Sequence, residues 1–284
     1  MSGIERALPA GLRDRVLGAS WQLRPAGKTV PEIPEIAPVE AFTLAADALH
    51  ETLRALPEDD WRRPAIRDLD VQGLVGHLIG VEHDLRRAMS GDPAVGQANH
   101  VESTQAAAER EAGRRPAQTL SEWRRSIERT LTQVAAVGDL GVIIVLHGIQ
   151  LPLHAFLVAR AFELWTHEND IRRATGQQAS APGAPTLALM TRLAASLLPF
   201  AAVASGLCES ARLHLVLTGQ GGGTWDIAVG DETAPARVSI VADAVRFCQL
   251  VANRAEPAGI GAHITGDHGA AAGILAAAAT LAFD

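Results

Sequence analysis

Arg160-Ala161-Phe162-Glu163-Leu164-Trp165-Thr166-His167-Glu168-Asn169-Asp170-Ile171 decides how the chain reads, because helical spacing sets four of its polar side chains on one face. At about 100° per residue, Arg160, Glu163, His167 and Asp170 fall within about 80° of one another. Phe156, Leu157, Leu164 and Ile171 lie on or beside the same sector, so the polar stripe faces a core. A carboxylate and an imidazole at i, i+4 on an inward face cost stability unless they are paired or bind something. A divalent metal satisfies both, and the plainer alternative is an Arg160–Glu163 ion pair at i, i+3.

A metal needs a further ligand from another element, and periodicity sorts the ten histidines. Along Val71 to Ser90 the residues Leu74, Leu78, Val81, Leu85 and Ala88 make an apolar face with His77 at its edge, while His83 points away. Gly73, Gly76 and Gly80 flank His77 at helical spacing. Each costs up to about 1 kcal/mol relative to Ala inside a helix, so the set implies room for a ligand or a close helix contact. His154 lies opposite Glu163 on its own helix. His77, Glu163 and His167 then give two imidazoles and a carboxylate, the donor set of open zinc sites, which nickel, cobalt and iron also accept. Asp170 is placed to orient a ligand from behind, and Arg160 to hold a substrate carboxylate or Glu163 itself.

Outward from these two helices, apolar spacing predicts another from Val39 to Pro57 and one from Thr119 to Val137, with the central stripe on a helix from about Pro152 to Thr175. Gly91-Asp92-Pro93 ends the His77 helix, and residues 91–118 read as a long polar loop over a site. Four helices so connected imply an antiparallel bundle. Pro182 and Pro185 mark a boundary. Beyond it come a helix from Thr186 to Ser205, strands at Leu213–Leu217, Trp225–Val229 and Val238–Val241, a helix from Ala242 to Ala252, a strand at Ala262–Thr265 and a helix from His268 to Ala282. Gly219, Gly221, Gly222 and Gly223 read as a hairpin turn, since no Gly-Lys-Ser/Thr and no helix follows them. The expected fold class is α+β, with residues 1–38 a leader and linker containing a short helix at Leu12–Leu17, residues 39–178 a four-helix bundle and residues 179–284 a smaller α+β domain.

The 284 residues, 48% of them hydrophobic, suffice for a sizeable core. A net charge of −7 with both signs interspersed leaves no basic track for nucleic acid. The apolar stretch from Leu193 to Leu207, broken by Ser196, Pro199 and Ser205, falls short of a membrane span and reads as a core helix. No basic segment and apolar run follow Met1, so a cytoplasmic protein is expected. Cys208 and Cys248 are too few for a disulfide framework and read as reduced, buried thiols. Lys28 is the one lysine among abundant arginine and alanine, a usage that suggests a high-GC genome.

Two segments carry a resemblance. Gly76-His77-Leu78-Ile79-Gly80-Val81-Glu82 and Arg160 to Gly176 resemble the mycothiol-dependent maleylpyruvate isomerase family, one of the DinB-like four-helix metal proteins. Gly223-Thr224-Trp225, Val245 to Leu250, Asn253-Arg254 and Thr265-Gly266-Asp267 resemble that family's C-terminal domain, and Leu12 to Leu17 a leader found in some actinobacterial members. Where the family commonly has Trp-Thr-Val before its metal-binding helix, this chain reads Leu69-Asp70-Val71. The resemblance implies that His77, Glu163 and His167 hold a divalent metal, that mycothiol is the thiol cosubstrate, and that Arg254 helps bind an anionic thiol or substrate. The activity implied is thiolate attack on a small electrophile such as maleylpyruvate, ending in isomerisation or S-transfer. Two other readings stand beside it: a hydrolase in which the same metal activates water, and a non-catalytic binding or regulatory protein that keeps the fold.

Overall fold

The computed structural model describes residues 33–206, 210–231, 233 and 237–282. The Leu12–Leu17 segment and Cys208 lie outside them. Helix α1 (Pro38–Arg54) leads through a 3-10 turn and a two-stranded ribbon, β1 (Pro64–Ile66) and β2 (Leu69–Asp70), into α2 (Val71–Met89). The Asp70 carboxylate accepts the Gly73 amide at 2.7 Å, so the Leu69-Asp70-Val71 departure supplies a proper N-cap for the helix that carries His77.

Residues 91–118 are mainly helical and not the loop that their polarity implies. They form α3 (Pro93–Gln97) and α4 (His100–Ala112), after which α5 (Pro116–Val137) begins. Asn99 caps α4, its Oδ1 accepting the Val101 and Glu102 amides at 3.0 and 3.2 Å. The face that α4 buries consists of Thr104, Ala107, Ala108 and Glu111, too small and polar to show as apolar periodicity. The glycines of α2 receive it. A Cβ on Gly76 would lie 2.8 Å from Ala107 O and Ala108 Cα, and one on Gly80 would lie 2.9 Å from Thr104 Cβ. These glycines therefore serve a close helix contact.

A hairpin of β3 (Ile143–Leu146) and β4 (Ile149–Pro152) precedes α6 (Leu153–Ala174). Its turn residues His147 and Gly148 both have positive φ, 49° and 78°, the two-residue turn that suits strand twist. Main-chain bonds from His147 N to Val95 O and from Gly148 N to Gly96 O, 3.1 and 2.9 Å, tie the turn to α3.

Phe42, Leu49, Leu74, Leu78, Leu85, Trp123, Ile127, Leu157 and Leu164 form part of one apolar core among α1, α2, α5 and α6. A second core contains α7 (Ala184–Ser205), α8 (Ala244–Val251), α9 (His268–Ala279) and a four-stranded sheet. The sheet comprises β5 (Ala211–Thr218), β6 (Gly223–Val229), β7 (Arg237–Asp243) and β8 (His263–Gly266) in the order β6-β5-β7-β8, with β5 and β7 parallel and the other pairs antiparallel. Gly219 and Gly221 turn the β5–β6 hairpin at φ of 90° and 74°. Strand β7 runs to Asp243, whose carboxylate caps α8 through Arg246 N at 3.0 Å, so that helix starts two residues later than Ala242. Helix α7 is long and apolar enough to cross a membrane, yet its Leu187, Met190, Ala194, Leu198 and Ala201 belong to the second core.

Residues 35–284 pack as one unit, and α6 contributes to both cores. Its Phe156, Leu157, Ala161, Leu164 and Ile171 enter the first, and Val158, Phe162 and Trp165 the second. With apolar residues on two sides, the stripe residues Arg160, Glu163, His167 and Asp170 are all buried.

Candidate metal centre

The stripe of α6 meets α2 in the bundle interior. His77, Glu163 and His167 are 2%, 7% and 0% exposed, and one ligand atom from each lies within 4.8 Å of the others. His77 Nε2 stands 3.5 Å from Glu163 Oε1. His77 Nε2, His167 Nε2 and Glu163 Oε1 are all buried without a hydrogen-bond partner among the described residues.

The far side of each ring explains why the near side is bare. Thr104 Oγ1 lies 3.0 and 3.1 Å from the His100 and Val101 carbonyls, where its single proton goes, so it accepts from His77 Nδ1–H at 2.7 Å. On α6 the ionised Asp170 accepts from His167 Nδ1–H at 3.0 Å. Both Nε2 atoms are left as lone pairs aimed at Glu163. Burial pushes His77 below its ordinary value, against the opposing pull of Glu163, and this keeps the imidazole neutral.

Asp170 is itself held. Arg254 Nε and Nη2 reach its two oxygens at 3.0 and 2.8 Å, and Arg173 Nη2 adds a bond at 2.7 Å. Burial alone raises Asp170, but the bonds from His167 and Arg254 outweigh it and hold the carboxyl well below its usual range. Arg254 therefore arrives from the end of α8 behind His167, and it also lines a cavity of about 440 Å³ with Arg173 and Arg246.

Arg160 lies flat between two carboxylates. Its Nη1 donates to Glu163 Oε2, while Nε and Nη2 donate to Glu82 Oε1 at 3.1 and 2.9 Å. Burial by itself raises Glu163, yet the adjacent guanidinium and His77 pull it well below the ordinary carboxylate value. Glu163 is thus ionised, with Oε2 committed to Arg160 and Oε1 open. Glu82 is fully buried and absent from the sequence-based site, although its place one turn from Ile79 on the His77 helix was visible.

Two further histidines extend this cluster. His100 Nε2, buried and unpartnered, stands 3.6 Å from Glu163 Oε1, and its ring meets that of His77 edge-on at 4.9 Å between centroids. Behind it, His100 Nδ1 lies 2.9 Å from His147 Nδ1, and His147 Nε2 lies 3.0 Å from Asp84 Oδ2. The one signal for His100 in the sequence is Asn99, a cap preceding a helix hidden by its small residues. His83 is exposed, and His154 bonds the Leu140 carbonyl outside the bundle.

Fold and site together define a helical-bundle protein with a buried two-histidine, one-carboxylate donor set, followed by an α+β half. Residues 42–172 match the model of the mycothiol maleylpyruvate isomerase N-terminal domain. Crystal structures of the mycothiol-dependent maleylpyruvate isomerase and of a histidine-to-alanine mutant of it share the fold, each with a TM-score of 0.57 over 79% of this chain and 91% of that one, at 13% and 12% identity. No curated protein sequence matches the chain.

Proposed function

We propose that the protein is a metal-dependent enzyme that uses a low-molecular-weight thiol, mycothiol, to isomerise or S-conjugate a small electrophile such as maleylpyruvate. The observation that carries the reading is the trio of bare, buried acceptors at His77 Nε2, His167 Nε2 and Glu163 Oε1. Such atoms cost about 1–3 kcal/mol each when left unsatisfied, and no hydrogen shared among three acceptors satisfies them all. A cation does, and two imidazoles with a carboxylate suit zinc. The thiol chemistry and the choice of electrophile draw on the family's named activity.

When bound, a divalent metal supplies the positive charge that deprotonates a coordinating thiol. The chain's own residues set the conditions. Thr104 and Asp170 fix the two rings with their lone pairs inward, and Arg254 and Arg173 fix Asp170. Arg160 keeps Glu163 ionised and engages one of its oxygens. Glu82, Arg160 and Glu163 sum to one net negative charge, so a divalent cation leaves the cluster at plus one. An anionic ligand neutralises that excess, a thiolate as well as a hydroxide, so the choice of thiol over hydrolytic chemistry rests on the family's named activity.

The test is metal analysis joined to a thiol-dependent assay. About one equivalent of divalent metal per chain is expected, absent from His77→Ala and His167→Ala, with turnover of maleylpyruvate or a generic electrophile only when mycothiol is present. Folded protein that stays metal-free with zinc supplied refutes the metal reading. Turnover indifferent to thiol moves the assignment to hydrolysis.

A further inference from the structure

We propose that His100 is a fourth protein donor of this centre, presented by an imidazole–imidazole–carboxylate chain through His147 to Asp84. The inference rests on the metal reading above and extends the donor set beyond the three residues of α2 and α6, so that a coordinating thiol would enter as a fifth ligand or in place of His100.

The proton positions follow one from another. An ionised Asp84 only accepts, so the proton of His147 sits on Nε2, which points at Asp84 Oδ2 from 3.0 Å. Arg87 supports that ionisation, with Nη1 3.3 Å from Asp84 Oδ1. A neutral His147 then has a bare Nδ1, and the 2.9 Å contact with His100 Nδ1 is a bond only if His100 donates. His100 Nε2 is left without hydrogen and faces Glu163 Oε1 at 3.6 Å. Two acceptors at that distance make no hydrogen bond. The separation nearly equals the 3.5 Å between His77 Nε2 and the same oxygen, the spacing of neighbouring donors around one ion.

The support resembles that of His167. There a carboxylate holds one imidazole, and here a carboxylate holds an imidazole that holds another. Ligating histidines commonly have their second nitrogen bound in this way. The chain is built from three places: Asp84 on α2, His147 in the hairpin turn, and α4, which supplies His100 at its start and Ser103, whose Oγ lies 3.2 Å from His147 Nε2. Asp84 and His147 side chains are 3% and 7% exposed, so water does not compete for these bonds. A merely structural histidine pair has no need of a bare nitrogen aimed at Glu163.

Zinc K-edge X-ray absorption on the full-length zinc-loaded protein counts imidazoles directly. Three are expected in the wild type and two in His100→Leu, with zinc affinity in chelator competition lower by roughly 10- to 100-fold in the variant and by less in His147→Phe. Two imidazoles in the wild type overturn the proposal, and this arm needs no variant to fold. Unchanged zinc affinity in a folded His100→Leu overturns it as well. Wild-type protein that binds no zinc removes the centre itself, an outcome distinct from a loaded centre with two histidines.

Discussion

Replacing Asp170 with Asn tests whether the carboxylate behind His167 sets the centre's affinity. The side chain keeps its shape and loses its charge. An Asn oxygen in the place of Oδ2 still accepts from His167 Nδ1–H and Arg254 Nη2, but the amide NH2 then replaces Oδ1, against Arg254 Nε at 3.0 Å and Arg173 Nη2 at 2.7 Å. Turned the other way, the amide satisfies Arg254 and leaves His167 Nδ1–H facing a donor. Neither orientation serves all the neighbours, so either His167 loses its fixed tautomer, or Arg254 Nε and Arg173 lose their acceptor and the charge behind His167 is gone. Loss of such support behind a ligating histidine costs about 10- to 100-fold in metal affinity, about 1.4–2.8 kcal/mol. Part of the stability loss expected for a broken buried ion pair is relieved here, because the Arg173 side chain is 61% exposed and Arg254 13%. Chelator competition with zinc, beside urea unfolding of the metal-free protein, separates the two effects. An Asp170→Asn protein that binds zinc as tightly as the wild type refutes the reasoning, whatever its stability.

Gly76→Ala forces a Cβ to within 2.8 Å of the α4 backbone, so the helices must part, at a cost of about 1–3 kcal/mol in urea unfolding; an unchanged midpoint sinks the close-contact account. In the metal-free protein, burial first, partly offset by Glu163, lowers His100 from 6.5 to about 4. The unfolded chain therefore takes up a proton below pH 6.5 that the folded chain does not, so stability falls as pH drops from 6.5 towards 4 and the His100 contribution levels off below that, by at most about 1.4 kcal/mol per pH unit. Urea midpoints across that window should flatten in His100→Gln relative to wild type, and an identical slope contradicts the prediction. Arg160→Met removes the one cation between Glu82 and Glu163 and leaves two buried carboxylates facing each other. The metal-free variant should lose about 3–5 kcal/mol at neutral pH and recover part of it when zinc is added, as read by thermal unfolding; a variant as stable as wild type without metal refutes the charge argument.

How much of this was legible depended on which physical signal each element leaves in sequence. Helices α1, α2, α5 and α6 bury large apolar residues at helical spacing, so their existence and nearly all of their limits could be read. Helix α4 could not, because it buries Thr104, Ala107, Ala108 and Glu111 against glycines, a contact that works through smallness and leaves no apolar stripe. With α4 unseen, His100 lay in a presumed loop. His147 was hidden for a different reason: its place comes from a hairpin turn of positive φ pinned to α3 by main-chain bonds, which side-chain patterning does not encode. The stripe on α6 was readable because helical spacing alone brings Glu163, His167 and Asp170 to one face, and His77 because the apolar face of its helix put it at the edge of the core.

The placement of Arg254 ties the two halves of the chain to one centre. Asp170 lies on α6, the helix shared by both cores, and Arg254, which engages both its oxygens, comes from just past the end of α8. The series Arg254–Asp170–His167 thus carries orientation from the α+β half to a nitrogen inside the bundle. Removing the second half would unpair Asp170 from Arg254 and strip the Phe162 and Trp165 side of α6 of its core, so the bundle's donor set is not a property of the bundle alone. That dependence explains why a polar stripe survives on the buried face of the helix: each group on it is fixed from outside the helix, Arg160 by Glu82, Asp170 by Arg254, and the bare atoms of Glu163 and His167 by what they are arranged to bind with His77.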